Sequence, residues 1–255
     1  MAVLTKHVDD LKMSGQAERL KQIIDALESV FGKMTQHWNE FQNCGMRHRR
    51  NTETHVITVD QIEYIAALKP IVDPQIGKNN AEQDCSKLLH DLFRSLLGAT
   101  AFATLTRADV CVFVVSLQKA AHQSKVKHVK MLNRLVRWMQ KHPKALVYRP
   151  MDEPLCLHTY SDSAFKKEET TGHALKGTVV ILTSANASGR TAVAHLLEFS
   201  AKRVRHVTRS TFSAELFAAC DSVDTTLLLA QLLHDIWTPQ QSFGGARRLR
   251  ESGGY

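Results

Sequence analysis

Three strand-like runs followed by one long helix constrain this chain more than any other feature. Leu155–Ser161 alternates apolar and polar positions and delivers Asp162 at its end; Leu175–Thr183 and Ala192–Ser200 follow, separated by the charged loop Lys166–Thr171 and the turn Ala187-Ser188-Gly189. Short β-prone runs joined by turns pair with their sequence neighbours, which predicts an antiparallel meander. Ser210 or Thr211 then starts a helix reaching about Ile236, in which Leu216, Ala219, Val223, Leu227, Ala230 and Leu233 recur at helical spacing and are expected to pack on that sheet.

The preceding residues alternate between strands and helices. Ala2–Val8 is strand-like and runs into the turn residues Asp9-Asp10; Ser14 is placed to cap a helix carrying Leu20, Ile23, Ile24, Leu27, Val30 and Phe31 until Gly32 stops it. Trp38 to Val59 holds short β-prone pieces, with the basic stretch Arg47–Arg50 expected at a hairpin tip, and Asp60 caps a short helix through Leu68. Pro70, Pro74 and Gly77 mark a boundary before three helices, Leu88–Leu105, Asp109–Ala121 and Val126–Lys141; Pro143, Pro150 and Pro154 mark a second. The chain is therefore expected to be α/β, more closely α+β.

Its 33 Lys and Arg outnumber 25 Asp and Glu, a formal charge of +8 that attracts polyanions. The five cysteines are widely spaced with no CxxC pair, which fits reduced thiols in an intracellular protein, cytoplasmic or nuclear. No continuous run approaches the roughly 20 apolar residues that span a bilayer, so no membrane partner is expected. Gly-rich phosphate loops, Cys/His metal spacings and nucleophile elbows are all absent from the sequence.

Two acidic pairs and one basic face are left to carry chemistry. A strand that delivers Asp162 and a helix that delivers Glu215 suit a Mg²⁺ site, although a strand-end Asp also caps turns and a helix Glu also faces solvent. Asp9-Asp10 presents either a metal-binding carboxylate or an Asx-type turn. The helix Val126–Lys141 and the residue before it carry Lys125, Lys127, Lys130, Arg134, Arg137 and Lys141, spaced so that several share one face while Val129, Leu132, Leu135 and Val136 supply the other; such a face, with Lys127, Lys130, Arg134 and Arg137 as its candidate contacts, is either solvated or follows phosphates.

The order of these segments resembles copia-type retrotransposon Pol polyproteins. His7-Val8-Asp9-Asp10-Leu11 is similar to the YVDDL turn of reverse transcriptases, with His in place of Tyr. Phe93–Gly98, Thr106-Arg107-Ala108-Asp109 and His128 resemble the YRSLLG, TRPD and downstream His segments of the connection, with Ala108 where proline is usual. Tyr160–Ala164, Thr171-Gly172, Phe199–Arg203 and Ser210–Glu215 resemble segments of the ribonuclease H domain in the same order. The resemblance divides the chain into a palm end and start of the thumb (1–72), a helical connection (73–150), a truncated ribonuclease H-like domain (151–236) and a disordered tail (237–255).

Carried over by position, the resemblance implies that Asp9 and Asp10 belong to a polymerase turn and that Asp162 and Glu215 are the first two ribonuclease H acids. Asp9, Asp162 and Glu215 would then ligate Mg²⁺ or Mn²⁺, and the basic face would track an RNA–DNA hybrid or another duplex, beside the rest of a polyprotein. Each catalytic set lacks further acids that the family uses, so the resemblance implies a chain inactive alone in RNA-directed DNA synthesis and hybrid cleavage. The alternative is a non-catalytic, basic nucleic-acid-binding module.

Overall fold

The computed structural model describes residues 2–8, 10–77, 80–164, 173–186, 192–204 and 207–238. They fall into two compact units, residues 2–35 with 224–238, and residues 36–223. In the first, β1 (Ala2–His7) and β2 (Asp10–Gly15) make an antiparallel hairpin whose last pair is His7 with Asp10. Helix α1 (Ala17–Phe31) buries Leu20 and Ile24 and ends at Gly32, where φ is 83°. Ser14, expected as its cap, instead lies in β2 opposite Val3; Gln16 precedes the helix without a side-chain cap.

Val8, the residue after β1, has φ 55°. Two-residue hairpin turns that follow the twist of the strands need left-handed residues, and a β-branched side chain clashes with its own backbone there. Val8 is 76% exposed, so nothing is gained from burying it. Val8→Asn is expected to stabilise the hairpin by about 1 kcal/mol, read as slower amide exchange in Ala2–Gly15; unchanged or faster exchange would show that the loop is not strained.

The second unit opens with β3 (Glu40–Asn43), β4 (Met46–Arg50) and β5 (Ile57–Asp60). Arg47–Arg50 is thus a strand and not the expected hairpin tip, because Cys44-Gly45 makes the turn, with φ of 49° and 71°. The basic side chains are answered across the sheet and from α2 (Ile62–Ala67): Arg47 pairs with Glu40 and Glu63, and Arg49 with Asp60 at 2.7 Å. Gly45 is required twice over, by its φ and because an added Cβ would lie 2.5 Å from Cζ of Phe102. Asp60, expected as the cap of α2, ends β5 instead and Gln61 precedes the helix, while Asp60 Oδ1 still accepts from Ile62 N at 3.0 Å.

After α3 (Pro74–Gly77) come α4 (Lys87–Ala103), α5 (Cys111–Gln118) and α6 (Val126–Lys141). Ser86 caps α4, its Oγ accepting from Leu89 N at 3.3 Å. One core joins Leu89, Phe93 and Leu97 of α4, Val114 and Leu117 of α5, Val129, Leu132, Val136 and Met139 of α6, and Ile65 and Ile71 from before them. Strand β6 (Leu146–Tyr148) returns to pair with β5, giving a four-stranded antiparallel sheet ordered β3-β4-β5-β6. The fold thus ties together stretches on both sides of the proline-rich boundary near residue 72.

The meander forms as predicted: β7 (Leu155–Ala164), β8 (Leu175–Ser184) and β9 (Ala194–Arg203) pair in sequence order, all antiparallel. The expected loop at 166–171, the turn at 187–189 and all but the first two residues of the tail, 237–255, lie outside the described residues. Helix α7 (Thr211–Trp237) follows. Thr178 Oγ1 lies 2.7 Å from Ser222 Oγ and Lys176 pairs with Asp221, so α7 covers the β8 face that carries Lys176, Thr178 and Val180.

The packing face of α7 differs from the sequence expectation. Ala214, Ala218 and Ser222 are its buried residues, whereas Leu216, Val223 and Leu227 are exposed. Small side chains let the helix axis approach the strands, and Ser222 uses that closeness to bond both Thr178 and the carbonyl of Ala218. The exposed face also amends the membrane reading. Thr211–Trp237 is, by length and composition alone, long and apolar enough to cross a membrane, although Ser, Thr and acidic residues break its apolar runs.

Candidate nucleic-acid interface

Helix α6 sorts its cations into two sets. At its N-terminal end Lys127 donates to both carboxylate oxygens of Glu82 at 2.8 and 3.0 Å, and Lys125 reaches the same group at 3.2 Å. The hydrogen bond from Lys127, then that from Lys125, holds the Glu82 carboxyl below its ordinary value. His128 accepts the N–H of Lys125 through Nδ1 at 3.0 Å, closing the first turn. Burial first, then Lys127 and Lys125, holds its imidazole below the usual range, which keeps the ring neutral and able to accept.

Farther along, Lys130, Arg134, Arg137 and Lys141 fall at the i, i+4, i+7, i+11 spacing that makes one stripe. They line a cleft of about 690 Å³ whose opposite wall is the Ile71–Gly77 segment. Arg134, Arg137 and Lys141 have no acidic partner among the described residues, unlike Lys127 beside them on the same helix. Asp73 supplies the only carboxylate of the lining, and one of its oxygens already accepts from Gln75 N at 2.8 Å. Unpaired cations along a concave surface leave a positive field to be satisfied from outside.

Two contacts support the walls of the cleft, one buried and one at a half-exposed ring. Asn133, 2% exposed, faces Ile71: its Oδ1 accepts from Ile71 N at 2.7 Å and its Nδ2 donates to Ile71 O at 2.7 Å. Trp138, 40% exposed, lines the same cleft with its ring centroid 5.3 Å from the guanidinium carbon of the fully buried Arg107. Neither residue, nor the opposing wall, was marked by sequence reasoning. The available signal was an amide on the otherwise apolar stripe of α6, opposite a proline-bounded segment that has to satisfy its backbone somewhere.

The acidic candidates are dispersed. Asp9 lies outside the described residues, and Asp10 is exposed at the start of β2. Asp162 is exposed in β7, paired with Gly177. Paired residues share a face and successive residues alternate, so Asp162 and Gly177 lie on the face opposite Thr178 and therefore opposite α7. Glu215, half-buried, is on α7. The register thus directs the two carboxylates to opposite sides of the sheet, and among the described residues no group of three or more His, Cys, Asp and Glu could hold a metal. Among the described residues the basic cleft is the site with a built geometry.

The retrovirus-related Pol polyprotein from transposon RE2 of Arabidopsis thaliana is 22% identical over 240 residues, covering 90% of this chain and 16% of the relative. The corresponding polyprotein from transposon RE1 of the same plant is 22% identical over 144 residues, 56% of this chain and 9% of the relative. The chain is therefore distantly related to retrotransposon Pol polyproteins and spans less than a fifth of the length of either relative. No family model and no solved structure matches it.

Proposed function

We propose that this Pol-related chain binds nucleic acid along α6 and is descended from the reverse transcriptase and ribonuclease H portion of a copia-type element. The observation that carries the proposal is the stripe of Arg134, Arg137 and Lys141, which lines a cleft and forms no ion pair among the described residues. Its partner is an RNA–DNA hybrid or another duplex, gripped through phosphates and without sequence preference. The stripe from Lys130 to Lys141 extends about 16 Å along the helix, enough for several backbone phosphates. We place the protein inside the cell, in the cytoplasm or nucleus, where nucleic acid and reducing conditions coexist.

The same reading makes the chain a holder of duplexes that does not cut or extend them. Asp162 and Glu215 lie on different sides of the meander, and two carboxylates alone would leave an octahedral divalent ion short of oxygen ligands. A labelled RNA–DNA hybrid incubated with the protein and Mg²⁺ or Mn²⁺ is expected to stay intact. Cleavage that disappears in Asp162→Asn would overturn this part of the proposal.

Binding itself is read by titrating a labelled hybrid at several salt concentrations. An affinity of about 10⁻⁴ to 10⁻⁶ M at physiological salt is expected, falling steeply as salt rises. Arg134→Ala with Arg137→Ala should weaken every duplex alike and flatten the salt slope by about one for each phosphate no longer neutralised. Lys127→Ala should do less, because Lys127 is already occupied by Glu82. Salt-independent binding, or an unchanged double variant, would remove the basis for the proposal.

A further inference from the structure

The cleft beside α6 is more than a charged stripe, and we infer that it takes an unpaired nucleobase from a single-stranded segment, stacked on Trp138, with the flanking phosphates on Arg134, Arg137 and Lys141. The inference rests on the nucleic-acid reading of α6 and names which form of nucleic acid enters the cleft. Its two walls differ in chemistry. One carries the cations and an aromatic ring; the other carries Ile71, Ile76 and Val72, the last 92% exposed, together with Asp73. Phosphates are attracted to the first wall and repelled from the second by Asp73, while a flat, weakly polar base suits the space between the indole and the aliphatic side chains.

Size and stacking decide between strand forms. A volume of about 690 Å³ is that of a small-molecule pocket and receives a single base with its sugar. Inside a duplex both faces of each base are covered by neighbours, and drawing one out costs unstacking and unpairing. A single strand offers the base with both faces free. The indole is also fixed in advance: besides Arg107, His142 lies 5.0 Å from it between ring centroids and Lys144 Nζ 5.8 Å away, so little motion of Trp138 remains to be frozen out on stacking. Arg107 is fully buried and cannot itself serve a ligand, so its contact with Trp138 acts as support for the ring.

The test uses the full chain carrying Trp38→Phe and Trp237→Phe, both at half-exposed positions, so that Trp138 alone fluoresces. Three probes of matched length, each with a fluorescein end label read by anisotropy so that affinity is measured whatever stands at position 138, are titrated: oligodeoxythymidine, the same backbone with every base removed, and a duplex. Oligodeoxythymidine is expected to quench Trp138 and to bind about tenfold more tightly than the abasic strand. Trp138→Leu should abolish that tenfold advantage and leave duplex affinity unchanged, and Trp138→Tyr should retain most of it. Equal affinity for the abasic strand and oligodeoxythymidine overturns the inference, as does a Trp138→Leu loss shared equally by all three probes. If the abasic comparison fails while Arg134→Ala with Arg137→Ala still weakens every probe, the basic stripe stands and only the base pocket is wrong. If the arginine variant changes nothing, the underlying nucleic-acid reading falls and the base pocket with it. The abasic comparison needs no variant at position 138, so it decides the matter even where Trp138→Leu fails to fold.

Discussion

Asp109→Ala is expected to destabilise the helical core by about 3 kcal/mol, with the midpoint of urea unfolding shifted accordingly. Arg107 has no exposed surface, and Asp109 meets it as a two-pronged pair, Nε to Oδ1 at 2.9 Å and an Nη to Oδ2 at 3.0 Å. The other Nη donates only a long bond to the carbonyl of Met139 at 3.4 Å. Removing the carboxylate leaves a guanidinium that water cannot reach, and the cost is that of an uncompensated buried charge. Asp109 is itself 28% exposed in its side chain, so solvent screens part of the pair and the loss falls at the lower end for buried pairs. The double replacement Arg107→Met with Asp109→Ala should be milder than Asp109→Ala, because it removes both charges together. A double variant as unstable as Asp109→Ala would show that packing, and not the orphaned charge, dominates.

The same pair sets an acid limit. Burial pushes the Asp109 carboxyl up, but hydrogen bonds and charge from Arg107 and Lys144 outweigh it and hold the group below its ordinary value. Its folded pKa is therefore lower than its unfolded pKa of about 3.9, so its stabilisation is complete above that value and is lost as pH falls through the folded value. Unfolding free energies of the native chain and of Asp109→Asn should accordingly differ by a constant gap above about pH 4 and converge as pH falls below it. A gap that persists into strong acid would mean that Asp109 acts without its charge.

What the sequence made legible here is periodicity, and what it hid is pairing across the fold. The stripe of Val129, Leu132 and Val136 reads directly from spacing, and all three are fully buried. The meander reads equally well, because each strand pairs with its neighbour in the chain. Arg47–Arg50 misled because Glu40, Asp60 and Glu63, which neutralise Arg47 and Arg49, are brought alongside only by register. Helix α7 misled for a different reason. Ranking positions by hydrophobicity selects Leu216 and Leu227, while close approach to Thr178 and Val180 rewards Ala214, Ala218 and Ser222, whose advantage is small volume. The carboxylates were named from the strand and helix that carry them, but which face each occupies depends on the β7–β8 register, which no local pattern specifies.

Asn133→Leu is expected to cost about 2–4 kcal/mol and to separate the fold of the helices from the shape of the cleft. Leucine has the same branched heavy-atom skeleton as asparagine, with bulkier methyl ends, and suits an apolar stripe, so packing alone should contribute less to the cost than the lost hydrogen bonds. The amide, however, satisfies both the N–H and the C=O of Ile71, and Ile71 is 8% exposed in a segment flanked by Pro70 and Pro74. That segment belongs to no sheet ladder, so without Asn133 it has to bury both groups unpaired or move toward water. Movement is the cheaper outcome, since it spares the core formed by Leu89, Phe93, Leu132 and Val136. The variant should therefore keep its helical circular dichroism at moderate temperature while the backbone of 70–77 becomes more open to proteases and to amide exchange. Asn133→Asp should fare no better, because a carboxylate still accepts from Ile71 N but has no donor for Ile71 O. Loss of this wall should also erase the preference for a strand with bases over an abasic strand while leaving the salt-dependent attraction of Arg134 and Arg137, which sit on the helix itself. Retained preference with a protease-sensitive wall would show that Trp138 and the cations suffice without it.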